Sequence, residues 1–323
     1  MRLAPARTFS ERVLGALWGS VVGDALGVPV EFTSREDRRH DPVTGMRGYG
    51  TWNQPEGTWS DDTSLMLASA ESLLEGFDIE RMGQAFVGWL HGGKWRPHGR
   101  VFDVGMTTRQ AIDAIHFGGA AATAGSTLES SNGNGSLMRI LPVGLAFADA
   151  EVDEICHAAE TASAITHGHA WSRMACAYAC LLTKHLIQSG DKFAALASAN
   201  QDFTRHYSAT SEAQHMGKFS MLLQDPLSIY PDHMIESSGF VLHTLTASVW
   251  CLLRETTFAA TVLQAVNLGD DTDTTGCVAG GFAGLLYGQS EIPADWFAGV
   301  ARHDELAPFF QKFTASLLEE ASS

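Results

Sequence analysis

Two short segments concentrate oxygen ligands: Ser60-Asp61-Asp62-Thr63-Ser64 and Asp270-Asp271-Thr272-Asp273-Thr274-Thr275. Each precedes a run with helical spacing, so each puts carboxylates and hydroxyls at a helix start. Capping accounts for one or two such residues, because Ser, Thr and Asp accept from exposed N–H groups and acids complement the helix dipole. Three aspartates within four positions exceed that need, because like charges repel. A hard cation relieves the repulsion, and an all-oxygen set suits Mg²⁺, Mn²⁺ or Ca²⁺ rather than Zn²⁺. Metal binding is favoured, and capping stays open as the competing account. Neither segment has the glutamate an EF-hand needs. Two such clusters meeting in space would hold two ions, which orient substrate oxygens and neutralise charge.

The elements that must position these residues are helices. Alanine-rich stretches with apolar residues three and four apart cover 64–75, 109–116, 172–187, 240–253 and 258–266. Alternating, β-branched runs are scarce, which predicts an all-α fold. The irregular stretches 33–59, 91–105, 118–137 and 208–238 hold much of the Gly, Pro, Asn and His. Loops of that length inside a compact domain are often functional. No linker divides the chain, so one domain over 1–323 is expected. Gly15, Gly19, Gly23 and Gly27 recur every fourth residue, as do Gly276, Gly280, Gly284 and Gly288. Each helical glycine costs about 0.8–1 kcal/mol relative to alanine, so a stripe of four implies a close approach of backbones. The two stripes are expected to pack on each other, or each on another close neighbour. Antiparallel packing of the two would bring Glu31 near residues 271–274. Both runs look too short or too charged to span a membrane.

Composition narrows the partners. Lys+Arg is 21 against Asp+Glu 37, a net charge of −16. That excludes a nucleic-acid binder, since phosphate contacts need clustered Lys and Arg. A phosphorylated ligand would need positive charge from a bound ion or from helix N-termini. Cys156, Cys176, Cys180, Cys251 and Cys277 are odd in number and scattered, unlike a disulfide framework. Arg2 and Arg7 precede an apolar run that Glu11 and Arg12 introduce, a poor signal peptide. A soluble cytoplasmic chain is expected.

Taken together, residues 15–31 (GALWGSVVGDALGVPVE), 59–64 (WSDDTS), 134–139 (NGSLMR), 166–167 (TH) and 269–274 (GDDTDT) resemble the ADP-ribosylglycohydrolases. That family includes the dinitrogenase reductase-activating glycohydrolases and the ADP-ribosylarginine hydrolases. The motifs keep the family's order, within a core of about 11–290. The resemblance implies a compact, orthogonal multi-helix domain with two Mg²⁺ or Mn²⁺ ions in a cleft. The implied reaction hydrolyses the bond from ADP-ribose C1″ to a protein side chain, arginine by analogy with the bacterial branch, with serine-linked, nucleic-acid-linked or free ADP-ribose as the open alternatives. Ser60, Asp61 and Asp62 then fall on one half of the metal site. Asp271, Asp273 and Thr274 fall on the other, with Asp270 and Thr272 as neighbours. Glu31 matches the glutamate that ends the family's first helix. Asp103 resembles an aspartate beside the ribose. These two are the candidates for acid/base work, with the division between them open, and local capping is the alternative for each.

The resemblance also places His167 at the substrate. The turn Asn132-Gly133-Asn134-Gly135-Ser136 offers backbone N–H groups, with Asn134, Gly135 and Ser136 expected on the diphosphate or a ribose oxygen; an ordinary loop is the alternative. It is not a P-loop. Trp52, Trp59 and Trp95 are candidates for stacking on adenine or for core packing. His91, His98 and His116 have no assigned role. The implied partner is an ADP-ribosylated protein, with a cognate ADP-ribosyltransferase as a further one, and no nucleic acid or membrane; a monomer is expected. Two other readings stand beside this one. The first is an immunity protein that blocks a transferase toxin by contact, with or without hydrolysis. The second is a metal phosphohydrolase acting on a nucleotide.

Overall fold

A computed structural model describes residues 7–224 and 226–320. Arg2 and the extreme ends of the expected 1–323 domain lie outside the described residues. Among the described residues there are sixteen α-helices, three isolated β-bridges and no strand. The all-α expectation therefore holds. The five segments read from spacing become the helices Asp61–Leu73, Met106–His116, Ala170–Ser189, Val241–Arg254 and Phe258–Val266. Side-chain caps define several starts: Thr8 closes a capping box with Glu11, and Thr257 accepts from Ala260 N–H.

The centre of the molecule is a glycine seam. The helices Phe9–Gly27 and Thr272–Tyr287 run antiparallel with Gly15 against Gly284, Gly19 against Gly280 and Gly23 against Gly276. A Cβ on any of the six would come within 3.0 Å of the facing carbonyl oxygen, closer than real Cβ atoms approach. Backbone touches backbone, and that contact offsets the poor helix propensity of glycine. Gly27 meets the backbone of Asp273 at the same end. Gly288 departs from the stripe. It ends its helix at φ +79°, where a Cβ would meet the Arg7 side chain.

One expectation needs correcting. The segment Phe9–Val30 is long and apolar enough to cross a membrane by composition. Its single acid pair, Glu11 and Asp24, does not dilute it sufficiently. The apolar character serves burial instead, because all of its most apolar window lies inside the fold.

Around the seam packs a contiguous core that includes Trp18, Trp59, Trp89, Trp250 and Phe310. The C-terminal helix His303–Glu320 covers one side, where Phe310 meets Trp18 edge-on with ring centroids 5.0 Å apart. The irregular stretches contain short helices, among them Arg35–His40 and Ser211–Phe219. All five cysteines are free and buried.

Candidate active site

The seam ends where the chemistry begins. A single 3₁₀ turn, Val28–Val30, carries the chain from the first glycine helix to Glu31. The second glycine helix starts beside it. Thr272 Oγ1 donates to Gly27 O (2.8 Å), Phe32 N–H to Asp270 O (2.6 Å) and Asp270 N–H to Thr33 O (2.8 Å). These ties bring carboxylate oxygens of Glu31, Asp271 and Asp273 within 4.8 Å of one another. Thr272 and Asp270 thus act as neighbours that fix the backbone.

The other acidic segment is delivered by Asp24, fully buried in the first glycine helix. Its carboxylate accepts from Ser60 N–H (2.9 Å), Thr63 N–H (3.0 Å) and Thr63 Oγ1 (2.6 Å). Those bonds dock the start of helix Asp61–Leu73 onto the seam. Ser60 caps that helix, accepting from Asp62 N–H at 3.2 Å and donating to Asp62 Oδ2 at the same distance. The two distant segments then touch directly: Thr274 Oγ1 donates to Asp62 Oδ2 at 3.4 Å.

Above this floor lies a cleft of about 800 Å³, part of it open to solvent. Glu31, Asp61, Asp62, Asp103, Asp271 and Thr274 line it, together with Asn134, Gly135 and His167. Asp273 belongs to the carboxylate group beneath. Asn134 has its Nδ2 committed to Asp271 Oδ2 (2.9 Å) and Thr244 Oγ1 (2.8 Å), so it orients a carboxylate. Gly135 sits so close to His167 and Thr108 that a Cβ would collide with both. Ser136 is turned into the core, with its hydroxyl accepting from Ser163 Oγ (2.9 Å), and it does not line the cleft. His167 pairs Nδ1 with Thr166 Oγ1 (2.7 Å) and presents Nε2 beside Gly133 and Gly135.

Burial and crowding set the electrostatics. Glu31 is pushed up to about 9 by burial and then by the charges of Asp103 and Asp271. Asp103 rises to about 7 for the same reasons, burial first and Asp271 next. Burial followed by neighbouring carboxylates drives Asp61, Asp62 and Asp273 well above the ordinary range. His167 moves the opposite way, down to about 3, through burial and the nearby Arg139. Among the described residues, none that lines the cleft is Lys or Arg.

Buried oxygens here lack protein partners: Asp62 Oδ1, Asp271 Oδ1 and Asp273 Oδ2. Native proteins satisfy such atoms, and carboxylates with free lone pairs facing one another fit hard divalent cations. Capping does not account for Asp271, which starts its helix without a side-chain cap bond. Nor does it account for Asp103, because Gly105 is the N-cap of helix Met106–His116.

Among the tryptophans only Trp52 belongs to this site. Its Nε1–H donates to Glu31 Oε2. Trp59 is buried and bonded to Ala301 O (2.9 Å), and Trp95 packs on Phe309. His91 and His116 stack on each other at the surface, 4.2 Å between centroids. Spacing and motif missed the role of Asp24 and the 237–239 turn, and offered Trp52 for stacking or core packing rather than for holding Glu31. That turn accepts from Asp271 N–H through Ser237 O (3.0 Å) and from Asn134 N–H through Gly239 O (3.0 Å). An acid inside an otherwise apolar glycine stripe is the signal that marks Asp24. The turn closes the polar stretch 208–238 and carries no comparable mark.

Comparison with known proteins agrees with this geometry. The ADP-ribosylglycohydrolase family profile matches residues 5–322. The chain is 32% identical over 314 residues to the ADP-ribosylarginine hydrolase Tri1 of Pseudomonas putida, covering 96% of this chain and 79% of that one. It is 31% identical to the ADP-ribosyl-[dinitrogen reductase] glycohydrolase of Rhodospirillum rubrum, over 89% of this chain and 90% of the relative. A solved ADP-ribosylglycohydrolase-related protein complex superposes with a TM-score of 0.80 at 29% identity, covering 96% of this chain and 99% of the other. With a cleft floored by carboxylates from both acidic segments and a family match over almost its whole length, this chain belongs to the ADP-ribosylglycohydrolase family.

Proposed function

We propose that this chain is a metal-dependent hydrolase that releases ADP-ribose from modified protein side chains, arginine above all, by cleaving the C1″ N-glycosidic bond. The observation that carries this reading is the cleft itself: carboxylates from four separate segments face one cavity that, among the described residues, no Lys or Arg lines. Its relatives bear the names of ADP-ribosylarginine and ADP-ribosyl-[dinitrogen reductase] hydrolases.

Ser60, Asp61 and Asp62 on one side, with Asp271, Asp273 and Thr274 on the other, would hold two Mg²⁺ or Mn²⁺ ions. Bound there, the ions supply Lewis acidity toward ribose hydroxyls and water, and positive charge toward a diphosphate. Cleavage develops positive charge at the anomeric carbon; Glu31 and Asp103 would stabilise it once ionised, a state that bound cations would favour against their raised pKa. A guanidine departs poorly as an anion, so a proton must reach it. Glu31 and Asp103 are the groups placed to manage protons, with Glu31 oriented by Trp52 Nε1–H. Asn134 keeps Asp271 in position, and neutral His167 offers Nε2 to a substrate oxygen. On this reading the chain works in the cytoplasm as a monomer of one domain, and its macromolecular partner is the modified protein.

The test incubates arginine-ADP-ribosylated protein with the enzyme and Mg²⁺ or Mn²⁺, then with EDTA. Intact ADP-ribose released only with the ion supports the proposal. AMP would instead identify a phosphohydrolase. No release, together with tight binding to a transferase, would identify a blocking immunity protein.

A further inference from the structure

We propose that Phe32 determines specificity: its ring is a platform at the cleft mouth for the cationic guanidinium joined to C1″. The inference rests on the arginine reading above and adds the residue that recognises the leaving group.

Phe32 follows Glu31 directly and lines the cleft, yet it is 64% exposed. Its backbone sits at φ +62°, a region where a bulky residue is strained and glycine is not. The strain is held in place by the paired bonds to Asp270, which is itself at φ +60°. Core packing does not require an aromatic at so exposed a position, and strain that packing does not explain points to function. The ring is also buttressed. Trp52 meets it edge-on, centroids 6.1 Å apart, and Trp52 packs in turn on Phe102 at 5.8 Å. Because Trp52 is pinned by its bond to Glu31, the platform is fixed relative to that acid.

The ligand chemistry follows from the field around the ring. Glu31, Asp61, Asp62, Asp103 and Asp271 line the same cleft, and among the described residues no cationic side chain lines it. A cation held within about 6 Å of a ring centroid gains attraction from the ring's quadrupole. The substrate enters with its protein outside and its ribose inside, so the linking group must cross the mouth. An arginine linkage carries its positive charge to that place. A serine linkage is neutral there and gains nothing from the ring.

The experiment measures KM for ADP-ribosylarginine and Kd for free ADP-ribose in wild type, Phe32→Leu and Phe32→Tyr, all in Mg²⁺. Phe32→Leu keeps an apolar side chain and removes the aromatic face. It should raise KM about tenfold while leaving the ADP-ribose Kd within twofold, and Phe32→Tyr should retain the wild-type KM. An unchanged KM in Phe32→Leu overturns the proposal. A parallel loss of ADP-ribose affinity also overturns it, since the residue would then shape the whole cleft. If wild type releases nothing from ADP-ribosylarginine yet releases ADP-ribose from another linkage, the arginine reading fails, and that result is visible before any variant is compared.

Discussion

Asp24 shows how one buried carboxylate can fix a site it does not line. All its hydrogen bonds are accepted ones, from two backbone N–H groups and one hydroxyl at the start of helix Asp61–Leu73. Asparagine has the same shape but turns one acceptor into a donor. Asp24→Asn would therefore set an NH₂ group against N–H donors, and an unsatisfied buried donor costs about 1–3 kcal/mol. The variant should lose about that much in urea unfolding and more than tenfold in kcat/KM, since Asp61 and Asp62 move with the helix start. Wild-type kinetics in Asp24→Asn would show that the docking bonds do not position the carboxylates. His167 gives a prediction of a different kind. Its pKa falls from about 6.5 to about 3 on folding, because the buried ring beside Arg139 stays neutral. The unfolded chain takes up a proton below pH 6.5 and the native chain does not. The stability it confers is present above pH 6.5 and is lost as pH falls, by about 1.4 kcal/mol per pH unit at most. Stability measured from pH 7 to 5 should fall less steeply in His167→Gln than in wild type; equal slopes would mean the wild-type ring is protonated in place.

At the level of elements, the glycine seam sets the register on which the site depends. Gly19→Ala adds a methyl that would overlap Gly280 O, and a backbone atom must yield to it. Overpacking of this kind costs about 1–3 kcal/mol, against about 1 kcal/mol gained in helix propensity. We expect a net loss of about 1 kcal/mol in Gly19→Ala and a lowered activity per folded molecule. Gly217→Ala, where a Cβ meets nothing within 4 Å, should leave both unchanged. Equal behaviour of the two variants would refute the seam. The close backbone approach was legible in the sequence because every-fourth-residue glycine has few meanings, while the partner of each stripe stayed open: of the two arrangements it allowed, the helices adopt the antiparallel pairing, which carries Glu31 to Asp271. Both acidic segments were legible too: 270–273 holds three aspartates in four positions, more than capping needs, and 60–64 pairs two aspartates with hydroxyls. Other features were not. Asn134 points at Asp271 rather than outward, and Ser136 turns into the core, because a glycine-rich turn does not announce which way its side chains face. Trp52 and the 237–239 turn reach the site through tertiary contacts alone. The apolar segment Phe9–Val30 read as unable to span a membrane when its composition permits it, because apolar content does not distinguish a lipid-facing helix from one buried in protein.

The whole molecule carries 37 acidic residues against 21 basic ones, and the imbalance is sharpest where it is most buried. A fold that gathers Glu31, Asp61, Asp62, Asp103, Asp271 and Asp273 with no Lys or Arg lining the cleft among the described residues works against its own stability unless cations accompany it. The same acids would repel the diphosphate of ADP-ribose, so ion binding and ligand binding are linked at one place. Removing divalent ions with EDTA should therefore weaken ADP-ribose binding more than a hundredfold and lower the unfolding midpoint, and Mg²⁺ or Mn²⁺ should restore both. Asp62→Asn separates this account from an ordinary structural role. Asp62 is 1% exposed and one of its oxygens has no partner, so the charge is a liability without an ion and a ligand with one. In EDTA the variant should be more stable than wild type by about 1 kcal/mol, through relief of repulsion between close carboxylates. In Mg²⁺ the order should reverse, because wild type gains stability from bound ion and the variant gains little. A carboxylate that served only to cap its helix would destabilise on substitution under both conditions, and the absence of a crossover would reject the metal centre.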